Sequence, residues 1–369
     1  MDKPLAGLKV VELARILAGP WAGQLLADLG AEVIKVERPG AGDDTRSWGP
    51  PFAADGSAAY FHGCNRGKTA VAIDLESRTG QDQVRELVRD ADVLIENFKV
   101  GGLARYGLDF ASLREVNPRL VYCSITGFGQ DGPYAGRPGY DVMIQAMGGI
   151  MDLTGDPDGE PQKIGVAFAD IFTGVYASSA ILAALRGREA TGTGCHIDMA
   201  LLDVQVAVLA NQAMNWLIGG EVPHRLGNTH PNIAPYQAFA VADGHVIVAV
   251  GNDAQFERLL ALLGLSEDPL YASNAGRVRN RAALDALLAP AIALRRRDEL
   301  LAALAAADIP AGPINDVAQV FADPQVIARG LQIAPGGVPG IASPIVIDGN
   351  RQVADRPSPR LPGADATKR

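Results

Sequence analysis

Asp170 is the side chain in this sequence best placed to do chemistry. It stands in Val166-Ala-Phe-Ala-Asp170-Ile-Phe-Thr-Gly-Val-Tyr, after an apolar run and before a helical pattern over residues 171–186. The ordinary use of an aspartate there is to cap the helix, accepting from its free backbone N–H groups. The helix dipole and those N–H groups would also keep the carboxylate ionised. An ionised carboxylate in apolar surroundings can attack an acyl group, so capping and nucleophilic roles are compatible.

Other groups offer less. Glu96-Asn97-Phe98 ends a strand pattern, where ligands lie in open α/β sheets, although a lone glutamate there is usually a surface residue. Gly127-Phe-Gly-Gln-Asp-Gly-Pro133 is a glycine loop at another strand end; it suits close approach to a ligand or simply a turn. Arg38 precedes Pro39-Gly40 and fits a nucleotide phosphate or an ordinary surface site. Cys64, Cys123 and Cys195 form no CxxC, which argues against a disulfide scaffold or a cysteine metal site. His62, His196, His224, His230 and His245 show no metal-ligand spacing, so no metal is expected. Gly63-Cys-Asn-Arg-Gly67-Lys68-Thr69 resembles a P-loop. It has three residues between its glycines where a P-loop has four, and a strand follows it instead of a helix, so that reading is rejected.

The elements that must position these groups follow from hydrophobic pattern. Residues 8–13 (LKVVEL) and 32–37 (EVIKVE) read as buried strands flanking a helix over 20–29. Such a βαβ unit has a right-handed crossover and parallel strands. The pattern recurs with strands at 71–75, 92–96 and 120–125 and a helix near 81–89. The fold class is therefore α/β, a doubly wound, Rossmann-like parallel sheet. No GxGxxG follows residues 8–13, which disfavours a nicotinamide dehydrogenase. A smaller α+β domain begins after the turn-rich stretch 227–235. It has a hairpin over 236–241 and 245–250, a helix over 254–263, and a helical stretch over 281–307 interrupted at Pro290. The expected division is 1–200 for the large domain, 201–225 as linker, 226–325 for the small domain, and 326–369 returning to the large domain with a loosely ordered Pro-rich tail.

The chain has 369 residues, enough for two or three domains at roughly 150 each. Its net charge of −9 argues against general nucleic-acid binding, but a local basic pocket for an anionic ligand survives that total. No unbroken apolar run has the length of a membrane span, and the first residues carry no leader pattern. A cytoplasmic protein with no membrane partner is expected.

Several segments together resemble the class III CoA-transferases, also called the carnitine-dehydratase/bile-acid-inducible family. They are Glu12-Leu-Ala-Arg-Ile-Leu-Ala-Gly-Pro20, Leu26-Ala-Asp-Leu-Gly-Ala-Glu-Val-Ile-Lys-Val-Glu37, Asn65-Arg-Gly-Lys68, Asp92-Val-Leu-Ile-Glu-Asn-Phe98, Asn117-Pro-Arg-Leu120, Gly127-Phe-Gly129, Gly139-Tyr-Asp141 and Gly192-Thr-Gly194. Singly they are weak; in this order over about residues 5–350 they are specific. Gly227-Asn-Thr-His-Pro-Asn-Ile-Ala-Pro-Tyr-Gln-Ala-Phe239 and Gly312-Pro-Ile-Asn315 resemble the succinyl-CoA:dicarboxylate, glutarate-type members.

The resemblance implies a mechanism in which Asp170 carries the acyl group. Its carboxylate would attack a donor acyl-CoA, giving a mixed anhydride and CoA thiolate. The thiolate would then form an aspartyl-CoA thioester, and an acceptor acid would reverse the sequence. CoA thioesters are substrates here, and no permanently bound cofactor is implied. Water must be excluded to conserve the thioester energy. By position, the resemblance assigns CoA contacts to Ile16, Leu17, Ala18, Arg38, Asn97, Phe98, Arg105 and Arg137. Trp48 and Tyr140 fall near the acceptor pocket, and Gly251 falls on a stretch matching a glycine-rich loop over the nucleophile. A dicarboxylate needs a cation for its far end, for which Arg46 and His230 are candidates. The resemblance further implies an interlocked homodimer. It also sets the chain's ending apart, since relatives carry a Gly-x-His-Thr segment and a terminal helix after the proline-rich stretch. Two alternatives stay open: an α-methylacyl-CoA racemase, disfavoured because Tyr140 stands where racemases carry a histidine base, and a non-catalytic acyl-CoA-binding protein.

Overall fold

A computed structural model describes residues 3–363; the end of the Pro-rich tail lies outside them. The described residues form two compact units, the first of 3–150, 163–220 and 324–363, the second of 151–162 and 221–323.

The first unit is built on six strands: β1 (Lys9–Glu12), β2 (Glu32–Glu37), β3 (Thr69–Ala72), β4 (Val93–Glu96), β5 (Val121–Thr126) and β6 (His196–Ala200). Their order is β3-β2-β1-β4-β5-β6, all parallel, so the doubly wound α/β fold read from the sequence is the fold observed. Both faces of the central strands are apolar because both are covered. On one face Val10, Val33, Val93, Ile95 and Cys123 pack under two helices, α1 (Ala18–Asp28) and a longer one ending at Thr191. On the other, Val11, Val36, Leu94 and Tyr122 pack against Val84, Val88 and Leu113.

Three details set the site. A short helix α2 (Asp141–Met147) precedes α3 (Phe168–Thr191), and α3 crosses α1 closely because Gly174 has no side chain. A Cβ there would lie 2.7 Å from the Ala18 carbonyl oxygen. By length and composition α3 could cross a membrane, yet Ala169, Thr173, Gly174, Ala177 and Ile181 are buried in the protein core. Second, Gly127 after β5 and Gly139 before α2 touch through their backbones, so a Cβ on either would lie within 2.5 Å of the other's Cα. Third, the returning segment is clamped by buried charges. Arg66 pairs with Asp28 and donates to Ile341 O, while Asp28 also accepts from the Ala354 N–H.

In the second unit the hairpin β7 (Tyr236–Val241) and β8 (Gly244–Ala249) is joined by β9 (Ala311–Pro313) in an antiparallel sheet. Phe239, Val246, Phe256, Leu259, Leu284 and Leu304 form its core.

The structure corrects three expectations and adds one strand. Residues 201–225 are not simply a linker, since helices Leu201–Ala207 and Ala210–Gly219 occupy most of that stretch inside the first unit. Residues 151–162, read as large domain, belong to the second unit. Helix Arg281–Ala293 runs through Pro290, and the break comes at 294–296, where extended Arg296 caps the next helix. Strand β6 was not anticipated: its pattern HIDMA alternates exposed and part-buried positions, as an edge strand does.

Candidate active site

The carboxyl ends of β1, β4 and β5 open into a cleft of about 720 Å³ within the first unit. This is where ligands bind on doubly wound sheets. Asp170 lines it. The aspartate is not the helix cap, however: α3 starts two residues earlier, with Ala167 as N-cap and Asp170 in the first turn. Freed from capping, the carboxylate faces the cleft.

Asp141, the first residue of α2, lies beside it. The Asp170 backbone N–H donates to Asp141 Oδ1 at 3.2 Å, and Gln145 Nε2 donates to Asp141 Oδ2 at 2.7 Å. Gln145 is fully buried and its Oε1 accepts from the Ile164 N–H at 2.9 Å. The two helix starts are thus tied through one carboxylate. Burial, with the neighbouring Asp141 charge, pushes the Asp170 carboxyl up to about 7. The dipole therefore does not keep this group fully ionised at neutral pH, contrary to the expectation drawn from a cap position. A more basic carboxylate is a stronger nucleophile once ionised. The phenol of Tyr60 is pushed up to about 12, chiefly by burial and then by Asp170. Its ring meets Trp48, a cleft residue, edge to face at 5.3 Å.

The β1–α1 turn forms part of the cleft wall through Ile16, Leu17 and Ala18. Ile16 has φ +74°, a left-handed conformation that costs a β-branched residue of order 1–3 kcal/mol. Its surroundings hold it. Asn97 accepts from the Arg15 N–H at 2.9 Å and donates to the Arg15 carbonyl at 2.7 Å. Asp43 Oδ1 accepts from the Ile16 N–H at 3.4 Å, and the Cys64 thiol donates to the Ile16 carbonyl at 3.6 Å. Asn97 thus shapes the wall, with both its amide groups occupied.

Beneath the turn lies a cluster that sequence reasoning missed. Glu12, Lys35 and Lys68 have no exposed side-chain surface. Glu12 pairs with Lys35 at 3.0 Å and with Lys68 at 2.8 Å, and Lys35 pairs with Asp43 at 2.9 Å. Burial opposes the Lys35 charge, but the Glu12, Asp43 and Glu37 carboxylates overcome it and raise its pKa. Lys68, sharing only Glu12 and lying near Lys35, is lowered by burial. The ammonium groups also donate to the carbonyls of Ala14 and Pro20, so the cluster fixes both ends of the turn.

Cations ring the cleft. Arg105 and Arg137 line it, and so do Arg15 and Lys99, which sequence reasoning did not single out. Both follow strand ends, β1 and β4, and that position was the available signal. Phe98 lines the cleft as well, with the Arg15 guanidinium 5.8 Å from its ring centre. Arg38 is not a lining residue; it pairs with Asp44, which also pairs with Arg15 at 2.9 Å. Tyr140, the N-cap of α2, lines the cleft and is 66% exposed.

Arg46 is placed otherwise than the acceptor-cation reading needs. It is buried, holds Glu37 with two 2.7 Å bonds, donates to Ser57 and Pro359 O, and lies 3.7 Å over the Phe61 ring. With its fork filled, it ties β2 to the returning segment. His230 and Gly251 lie in the second unit. The His230 ring lies tilted against Tyr236, centroids 5.1 Å apart, and its Nδ1 accepts from the Asn232 N–H. The Gly251 N–H donates to Gln255 Oε1 at 2.7 Å. Among the described residues no group of three or more His, Cys, Asp or Glu could hold a metal ion.

The cleft sets a half-buried carboxylate and a rim of cations at the carboxyl edge of a doubly wound sheet, an arrangement suited to an anionic ligand. Comparison with known proteins agrees. The chain belongs to CoA-transferase family III, whose model matches residues 5–366. It is 56% identical to the succinate–glutarate CoA-transferase of Agrobacterium fabrum, over 97% of this chain and 93% of that one. It is 44% identical to the human succinyl-CoA:glutarate CoA-transferase, over 89% of this chain and 76% of that one. Among solved structures, a CAIB/BAIF family protein from Brucella suis superimposes with a TM-score of 0.88 at 61% identity, covering 98% and 97% of the two chains.

Proposed function

We propose that this CoA-transferase moves CoA from succinyl-CoA to a dicarboxylic acid of the glutarate type, with Asp170 as the covalent carrier. The observation that carries the reading is the uncapped, half-buried Asp170 carboxylate facing the cleft. Its oxygen attacks the thioester carbon and the C–S bond breaks, giving a succinyl–aspartyl anhydride and CoA thiolate. The thiolate attacks the aspartyl carbonyl and releases succinate. The acceptor carboxylate attacks the resulting aspartyl-CoA thioester, and the thiolate then takes the acceptor's acyl carbon, regenerating Asp170. The thiolate is reused each time it leaves, succinate departs as product, and no water enters. Arg15, Lys99, Arg105 and Arg137 supply charge for the CoA phosphates and the acceptor's far carboxylate. The substrate choice rests on the printed activities of the relatives above.

With succinyl-CoA as donor, a panel of carboxylic acids should give fastest turnover with a five-carbon dicarboxylate and little with monocarboxylates. A preference for monocarboxylates would contradict the reading. A pH profile of kcat/KM for the acyl-CoA tests Asp170 directly. The nucleophile is ionised only above its pKa, so the rate should climb from pH 6 and level above about 8, with a midpoint near 7. A midpoint near 4, the ordinary aspartate value, would refute it.

We further propose a homodimer. Helix Ala210–Gly219 buries no residue in the single chain, with Leu217 71% and Ile218 81% exposed, and Phe172 and Tyr176 of α3 are also open. A second copy is the occupant that such an apolar face calls for.

A further inference from the structure

A second row of polar groups crosses the sheet beside the cleft, and the transfer chemistry leaves it unused. Glu96 at the end of β4 is buried and lies opposite Ser124 of β5 in register. Ser124 thus has Glu96 as its neighbour on one side, and its hydroxyl hydrogen-bonds His196 Nε2 of β6, at 2.9 Å, on the other. His196 is the exposed end of the row, its ring stacked on Phe110 at 5.1 Å. At the inner end Glu96 Oε2 accepts from the Phe98 N–H at 2.7 Å. Phe98 lines the cleft, and Asn97 beside it clamps both backbone groups of Arg15. The row therefore starts at the surface and ends on the cleft wall.

We infer that Glu96 is a positioning residue for the acyl-CoA cleft: its carboxylate holds the Asn97–Phe98 segment, and Ser124 passes a proton between Glu96 and His196. This rests on the acyl-CoA reading of the cleft given above. The exchange balances. With Glu96 protonated, its O–H donates to Ser124 Oγ and the Ser124 O–H donates to a neutral His196 Nε2. Shifting both protons outward leaves a Glu96 carboxylate, a Ser124 hydroxyl donating to it, and an imidazolium whose Nε2–H donates to Ser124 Oγ. Loss of the surface Nδ1 proton to solvent completes the relay.

The surroundings suit such a pair. Burial pushes Glu96 up to about 7, with the Ser124 and Phe98 hydrogen bonds opposing. His196 is lowered by burial, with Asp198 opposing. The other titratable groups that face the row are Tyr122, Asp109, Cys123 and Cys195. Burial pushes Tyr122 and Cys123 up, away from neutrality, so neither competes for the proton. A charged carboxylate holds an N–H more strongly than a neutral carboxyl does, so the wall should firm as pH rises through neutrality.

The Asn97-Phe98 pair is the only Asn-Phe in the chain, so ¹³C′-Asn/¹⁵N-Phe labelling isolates the Phe98 amide resonance. In the full-length protein that resonance should titrate with a midpoint near 7. In Glu96→Gln, which keeps the shape and cannot ionise, it should be flat. In Ser124→Ala its midpoint should move, because the relay is cut. In an Asp170→Ala background, which removes the nucleophile's own titration, CoA measured by calorimetry should bind roughly three- to tenfold tighter at pH 8 than at pH 6. Glu96→Gln should erase that difference. A Phe98 amide indifferent to pH in the wild type, with CoA still bound, overturns this inference and spares the cleft reading. Failure of every variant and the wild type to bind CoA overturns the cleft reading and the positioning role with it.

Discussion

Asp170→Ala is expected to lower CoA transfer by at least about a thousandfold while CoA affinity stays within severalfold. Binding groups and nucleophile are separate here. In the proposed mechanism the β1–α1 turn and the rim cations hold the thioester's CoA portion, whereas Asp170 supplies the bond-forming oxygen; all of them line the cleft. Removing it deletes the covalent step and leaves the walls standing. The same substitution has a stability signature. Because burial raises the Asp170 pKa above its unfolded value, ionising the group costs folding free energy as pH rises from about 4 through 7. Asp170→Ala removes that cost, so thermal scans should show the variant gaining on the wild type between pH 5 and pH 8. Loss of activity with an unfolded protein, or undiminished turnover, would contradict the assignment.

Glu12→Ala is expected to destabilise the first unit by roughly 3–5 kcal/mol. Among the described residues, Glu12 is the one carboxylate that pairs with both Lys35 and Lys68. Without it, two ammonium groups sit in a fully buried site with Asp43 as the remaining close carboxylate. The loss should also reach the cleft, since the same lysines hold Ala14 O and Pro20 O at the two ends of the turn that presents Ile16. Urea unfolding gives the measure. A midpoint near that of the wild type would show that the cluster relaxes or hydrates cheaply. Glu12→Gln, which preserves volume, separates lost charge from lost packing: it should remain severely destabilised if charge is the cause.

Much of the scaffold was legible because it follows simple hydrophobic patterns. The strands β1, β2, β4 and β5 are short apolar runs bounded by polar residues, and they fall where periodicity puts them. β6 escaped because an edge strand with exposed alternate positions carries no such run. Asp170 could be singled out as a residue, but its geometry could not. The helix takes in Phe168 and Ala169, the last two residues of the apolar stretch before the aspartate, which turns a reading as a cap into one as a cleft-facing carboxylate. Buried charge was the main blind spot. Nothing in EVIKVE marks Lys35 as a paired charge, and only the three-dimensional meeting with Glu12 and Asp43 accounts for its burial. Arg46 shows the same limit from the other side. Local sequence presents a free cation, whereas Glu37 and the distant Pro359 carbonyl have already filled its fork.

The sharpest test is mass spectrometry of the enzyme quenched during turnover with succinyl-CoA. The account predicts a covalent acyl or CoA adduct that hydroxylamine releases. Proteolysis should map it to the first turn of α3, and it should vanish in Asp170→Ala. Rapid multiple turnover by protein that stays unmodified under the same quench would contradict it.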